Sequence, residues 1–223
     1  MTGAATMLSP VRDTILEELK ARSQWVVWRL ELREGEPKPT KVPYCAVDRK
    51  ASSTDPATWL SFDAAWALYD RGGFDGIGYV FAANDPYCGI DLDPELPARD
   101  RQTILKRFNS YTELSPSGHG QHIIVKATLP GRGKKKGPLE VYDRARYFTI
   151  TGKRMSAYPP TIEERQEAVD WLLATYFPVS HQRDTNSNTN GGGLDATDDE
   201  LLARAFDATN GDKLRRLWNG DTT

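Results

Sequence analysis

Cysteine is scarce in this chain: Cys45 and Cys88 are the two among 223 residues. That number excludes a disulfide framework and a cysteine-rich zinc site, and it suits a reducing compartment. Charge of one sign is also missing, since 29 Lys and Arg meet 31 Asp and Glu for a net charge of -2. No global positive field advertises a polyanion partner, so any nucleic acid would have to be met by a local basic patch. No apolar run approaches the roughly 20 residues of a membrane span. The opening "MTGAATMLSPVRD" lacks the basic start and apolar core of a secretion signal. Cytoplasmic localisation and the absence of a membrane partner are therefore expected. Aromatic residues, by contrast, are plentiful: six Trp, nine Tyr and seven Phe are what a packed core needs and a disordered chain lacks.

The length suits one core of ordinary size with an appendage. The expected organisation is a main domain over 1–177, a flexible linker over 178–194 and a helical segment over 195–223, which docks back or begins a further module. The linker expectation rests on "PVSHQRDTNSNTNGGG", polar and without periodicity. Val11, Ile15, Leu16 and Leu19 predict an amphipathic helix over 10–22. "QWVVWRLEL" reads as a strand with "KPTKVPYC" as its hairpin partner, and "STDPATWLSFDAAWALYD" as a helix with Asp55 as N-cap and Pro56 at its first position. "GIGYVFA" and "YCGIDLD" flank the turn-forming "ANDP" and predict a β-hairpin. A helix at "ARDRQTILKRFNS", strands at "YTEL", "QHIIVKA", "LEVYD" and "YFTITG", and a helix at "TIEERQEAVDWLLATYF" complete the domain.

Chemistry begins with "GIDLD". In a strand, Asp91 and Asp93 share one face and Ile90 and Leu92 the other. The two carboxylates then stand about 7 Å apart, and their repulsion is relieved by a cation such as Mg²⁺ or Mn²⁺. The competing reading makes one aspartate the cap of a following turn. The loop "SPSGHGQH" holds two of the three histidines; its small residues suit an anion, and equally an ordinary turn. His119 and His122 lack further ligands at zinc spacing. In "GRGKKKGPLEVYD", Lys134, Lys135 and Lys136 sit in a Gly-bounded loop, fit for phosphates or simply solvated, and Glu140 is a third carboxylate at a strand position. Arg146 and Thr149 in "ARYFTITG" suit phosphate or sugar recognition, or the wet face of a half-exposed sheet.

Taken in order, the strand-borne D-x-D, the Ser/Gly loop ending in His, the strand-borne Glu and the Arg-aromatic-Thr strand resemble the three-motif signature of the archaeo-eukaryotic primase superfamily. More narrowly, they resemble the primase-polymerase domains of phages and plasmids. The matching positions are Asp91 and Asp93, then Gly120-Gln121-His122, then Glu140 after Leu139, and the resemblance covers roughly residues 25–152. It implies an α/β (α+β) fold, a primase-type catalytic core with an RRM-like sheet bearing the acids and an N-terminal α/β module. It also implies a DNA primase and polymerase that transfers nucleotides on single-stranded DNA and releases pyrophosphate.

By that resemblance Asp91, Asp93 and Glu140 hold two Mg²⁺ or Mn²⁺ ions. His122, Ser117, the Gly118 and Gly120 amides, Arg146 and Thr149 bind the incoming nucleotide, and Lys134, Lys135 and Lys136 track template or primer phosphates. The implied partners are a single-stranded DNA template and primer, dNTP or NTP, and a helicase domain or protein. Two other enzyme classes fit less well: "HGQH" breaks the His-hydrophobic-His site of a rolling-circle initiator, and no Gly-Ser helix start precedes the D-x-D as in polymerase-β-type nucleotidyltransferases. The remaining alternative is a non-catalytic module for single-stranded nucleic acid, with Tyr142 and Tyr147 as stacking platforms.

Overall fold

The computed structural model describes residues 7–33 and 35–178; the expected linker and C-terminal helical segment, from residue 179 on, lie outside them. The described residues form an α+β fold of two antiparallel sheets and four α-helices. No described helix is long and apolar enough to cross a membrane.

The first sheet contains β1 (Trp25–Glu31), β2 (Thr40–Tyr44), β3 (Gly76–Phe81) and β9 (Arg146–Ile150), in the order β2-β1-β3-β9. The second contains β4 (Tyr87–Leu92), β5 (Thr112–Leu114), β6 (Gln121–Lys126), β7 (Lys134–Lys136) and β8 (Leu139–Tyr142), in the order β5-β6-β4-β8-β7. The expected hairpin of "GIGYVFA" with "YCGIDLD" does not form, because the two segments belong to different sheets. Both are buried strands that need a partner on each edge: β3 lies between β1 and β9, and β4 between β6 and β8. At the turn, the Asp85 carboxylate accepts from the Ala82 and Tyr87 amides, which spends donors that a tight hairpin would have paired across strands.

The predicted helix over 10–22 is also interrupted. A 3₁₀ turn at Arg12–Thr14 is followed by extended Leu16 and then by a short helix, α1 (Glu17–Lys20). Tertiary bonds outweigh local propensity here: the Val11 amide donates to Thr151 O at 2.8 Å and the Thr14 hydroxyl to Gly152 O at 2.6 Å. The segment read as a helix from Ser53 splits too. Asp55 caps a 3₁₀ turn at Pro56–Thr58, and Ser61 caps α2 (Phe62–Asp70) by accepting from the Ala64 amide. Lysines 134–136 form an edge strand rather than a loop, a place where charged side chains discourage further strand pairing.

One face of the second sheet presents Ile90, Leu92, Ile123, Val125 and Val141 to α3 (Ala98–Phe108) and α4 (Gln166–Tyr176), which contribute Ile104, Phe108, Val169 and Leu172. Along β4 the alternation therefore runs as the sequence predicts, with Ile90 and Leu92 in the helical core and Asp91 on the opposite face. That opposite face meets the first sheet at Gly89. A Cβ there would stand 2.6 Å from both Phe81 Cζ and Phe148 Cε2. Absence of a side chain at Gly89 lets these two rings, packed edge to face with centroids 5.1 Å apart, close the seam between the sheets. Beyond the seam, toward Asp91, a cleft opens.

Candidate active site

Strand register assembles the site. Asp91 on β4 pairs with His122 on β6 and with Glu140 on β8; Glu113 on β5 pairs with His122; Lys135 on β7 pairs with Glu140. Five strands thus contribute one residue each to a single row, Glu113-His122-Asp91-Glu140-Lys135. Directly paired residues share a face with Cβ atoms about 5 Å apart, so the row sets the two acids Asp91 and Glu140 side by side between His122 and Lys135, with Glu113 beyond His122, across roughly 19 Å of sheet. Asp93 continues the Asp91 face just past β4, where its amide donates to Pro138 O at 2.9 Å. The cap of α3 is Pro97, so neither aspartate is spent there.

The His122 imidazole is buried, with Nε2 3.7 Å from Asp91 Oδ1 and Nδ1 3.6 Å from Glu113 Oε1. Its ring rests near Phe148, centroids 5.2 Å apart. Glu140 is buried as well, and its carboxylate is bonded by Lys135 Nζ and, at 2.9 Å, by Arg146 Nη2. Arg146 itself lies over the Tyr142 ring at 4.9 Å.

The electrostatics reflect crowded acids. Burial raises the Asp93 carboxyl above its ordinary value, and the charges of Asp91, Glu95 and Glu140 push it further, while Lys135 opposes them. Lys41 on β2 responds in reverse: desolvation lowers its ammonium, and Asp91 and Asp93 pull it back up. The residue is exposed, and its ammonium stands over the Trp28 ring, 5.7 Å from the centroid.

A cavity of about 690 Å³ is lined by Thr40, Lys41, Asp91, His122, Arg146 and Thr149 among others. Four of the expected site residues therefore come together, Asp91, His122, Arg146 and Thr149. Ser117, Gly118 and Gly120 do not line this cavity. They close the turn into β6, where the Gly118 amide donates to Ser115 O at 2.8 Å and the Gly120 amide to Ser115 Oγ at 3.2 Å. A side chain at Gly120 would meet Ser115 Oγ at 2.9 Å, so the turn is built around its absence. Lysines 134–136 divide by alternation: Lys135 pairs with Glu140, whereas Lys134 and Lys136 pair with Val141 and Leu139.

A divalent cation fits the backbone arrangement better than the side-chain arrangement. Asp91 and Glu140 are cross-strand neighbours with Asp93 beside them, a donor set of hard oxygens. Yet among the described residues no three His, Cys, Asp or Glu side chains converge on one point, because Glu140 is turned to Lys135 and Arg146.

A second, somewhat larger cavity of about 740 Å³ adjoins the first through Ser53 and Ala145, and Arg22, Trp59, Asn84 and Arg144 line it. It carries no acids. Ala145, at φ 54° in the left-handed region, sets Arg144 on one side of this junction and Arg146 on the other.

Two residues of the site were not singled out from the sequence, Glu113 and Lys41. Glu113 sits in "YTEL", read as a plain strand, and only the pairing of β5 with β6 sets it beside His122. Lys41 sits in "KPTKVPY", and the pairing of β2 with β1 at the edge of the first sheet brings it to the cleft.

No family model matches the chain. Over 151 residues, 62% of its length, the chain is 40% identical to a protein of Nitratiruptor phage NrS-1 named DNA primase-polymerase. The matched part spans 20% of that relative, so the similarity concerns about a fifth of a much longer protein.

Proposed function

We propose that this chain is the catalytic module of a primase-polymerase, carrying out template-directed nucleotidyl transfer on single-stranded DNA. The observation that carries the reading is the cross-strand row in which Asp91 has His122 on one side and Glu140 on the other, at the floor of a cleft bearing Lys41 and Arg146. The 40% identity over 151 residues to the phage primase-polymerase supports it. In this reaction a bond forms between a 3′ oxygen and the α-phosphorus of the nucleotide, and the bond to the departing pyrophosphate breaks.

Asp91, Asp93 and Glu140 would hold Mg²⁺ or Mn²⁺, Glu140 after exchanging its lysine and arginine partners for the ion. Bound ions supply activation of the attacking hydroxyl and neutralisation of charge on the leaving group. The protein supplies position and a fixed field. Lys41 and Arg146 meet the triphosphate as cations already in place, and His122 Nε2 adds a donor from the floor. Thr149, which lines the cleft, would meet sugar or phosphate. Ser117, Gly118 and Gly120 contribute through the turn that holds His122, or directly if Ser115 releases their amides. Lys134, Lys135 and Lys136 lie along the template or primer path. A helicase domain or protein would supply the opened duplex.

One observation favours a second reading, a non-catalytic single-strand binder: Glu140 is already neutralised by Lys135 and Arg146. Extension on single-stranded DNA with Mn²⁺ or Mg²⁺ and labelled nucleotides, with and without primer, separates the two. Products that vanish in Asp91→Ala support the primase-polymerase. Tight single-strand binding that survives Asp91→Ala, with no product in either format, would replace it with the binder.

A further inference from the structure

The mechanism above leaves one buried carboxylate without a task. Glu113 is wholly buried, although an acid out of water is costly unless its oxygens are matched. They are matched by donors from two elements: Oε1 accepts from the Thr151 amide, and Oε2 from the Gly152 amide and the Tyr111 hydroxyl, each at 2.9 Å. Three fixed donors leave the carboxylate with little freedom to turn. Its remaining accepting capacity, on Oε1, faces His122 Nδ1 at 3.6 Å.

That nitrogen is the informative atom. His122 Nδ1 is buried and has no hydrogen-bond partner, and Glu113 Oε1 is the carboxylate oxygen beside it. At the other end of the ring Nε2 points to the Asp91 side, into the cleft. An imidazole has two ends, and a fixed acceptor at one of them orients the other.

We propose that Glu113 is the positioning residue for His122: its Oε1 accepts a hydrogen bond from Nδ1–H and so fixes the ring with Nε2 toward the triphosphate in the cleft, where the ring carrying both protons donates from Nε2. A small ring rotation closes 3.6 Å to a hydrogen bond as the nucleotide enters. Clamping residues 151–152 to β5 is a separate structural duty, served by the other contacts. The inference rests on the nucleotide-binding reading of the cleft, and the test is chosen so that the two fail differently.

Glu113→Gln, His122→Ala and the double variant are compared for dNTP affinity by calorimetry with Mn²⁺ present, for the kcat and KM of incorporation, and for thermal unfolding. Glu113→Gln is expected to weaken dNTP binding and raise KM about tenfold with kcat nearly unchanged. In the His122→Ala background the same change should have less than about a twofold effect, because its partner is gone. An equal factor in both backgrounds, or unaltered dNTP affinity in folded Glu113→Gln, would overturn the proposal.

If Glu113→Gln fails to fold, ¹⁵N spectra of ring-labelled histidine in the wild-type protein decide. A protonated Nδ1 on His122 supports the proposal, and a bare Nδ1 overturns it. Wild-type protein that binds no dNTP would bring down the nucleotide reading itself, whatever the histidine spectrum shows.

Discussion

Lys135 on the edge strand β7 is the cross-strand partner of Glu140 on β8, and its ammonium bonds the carboxylate that Arg146 grips from the other side. A cation from the protein therefore occupies the charge partnership that a metal ion would take. Pairing with Glu140 raises the Lys135 ammonium above its ordinary value, as expected for a cation held by an acid. Removing this competitor should help the ion. Lys135→Ala is expected to lower the Mn²⁺ concentration giving half-maximal activity about two- to fivefold, the equivalent of a partly exposed ion pair. Lys134→Ala and Lys136→Ala, one register step away, should leave that midpoint unchanged. A metal titration of the three variants checks the difference.

Asp91 and Asp93 share a face with Glu140, and crowding holds the Asp93 carboxyl high. A cation among them should stabilise the fold as well as catalyse. Saturating Mn²⁺, at about 100 times its dissociation constant, is expected to raise the unfolding temperature by about 5–10 °C. Asp91→Ala should abolish that increment and reduce incorporation by a factor of about 10³ or more, with the metal-free unfolding temperature preserved or raised. Thermal scans with and without Mn²⁺ provide the check.

Glu31, at the end of β1 and paired with Thr40 of the cleft lining, is a titrating acid outside the five-residue row. The Tyr44 hydroxyl, Arg29 and Lys50 hold its carboxyl down at about 2, the tyrosine most strongly. A depressed carboxyl contributes stability that is fully present above the unfolded value and is lost as pH falls through the folded one. Glu31→Gln should therefore unfold at lower urea than the wild type at pH 7, and the gap should shrink between about pH 4.5 and pH 2. Urea midpoints across that range test the sign.

Gly89 lies at the seam between the two sheets, against Phe81 and Phe148. Glu or Asp there is out of the question, and even Ala would drive a methyl into Phe81 and Phe148. Gly89→Ala is expected to cost about 1–3 kcal/mol by overpacking. Because Phe148 also supports the His122 ring, nucleotide KM should rise too. Adding Phe148→Leu to Gly89→Ala should recover part of the stability, measured by urea unfolding.

Much of the site was legible in the order of residues. Period-two alternation set Asp91 against Ile90 and Leu92, and the buried apolar face in the structure agrees. The strand at "LEVYD" likewise set Glu140 opposite Leu139 and Val141, both now in the helical core. What alternation leaves open is which strands become neighbours. Sequence adjacency suggested that "GIGYVFA" and "YCGIDLD" pair, whereas edge pairing elsewhere and the Asp85 carboxylate in the turn send them into separate sheets. For the same reason Glu113 looked ordinary until β5 lay beside β6. The apolar spacing of Val11 to Leu19 was real, but hydrogen bonds to Thr151 and Gly152, remote in sequence, decided the backbone there.

The five-residue row also ties activity to the topology of folding. Its chain order is 91, 113, 122, 135, 140, and its spatial order is 113, 122, 91, 140, 135. No hairpin formed alone can bring more than two of these residues side by side, so the complete row appears only after non-local pairings, the slow contacts of a β-rich chain, are made. A slip of β4 by one residue would turn Ile90 and Leu92 to the cleft and bury both aspartates among leucines and phenylalanines of the helical layer. Partly assembled or misregistered molecules would therefore be inactive, and the appearance of nucleotide incorporation during refolding would time the moment at which the whole sheet falls into register.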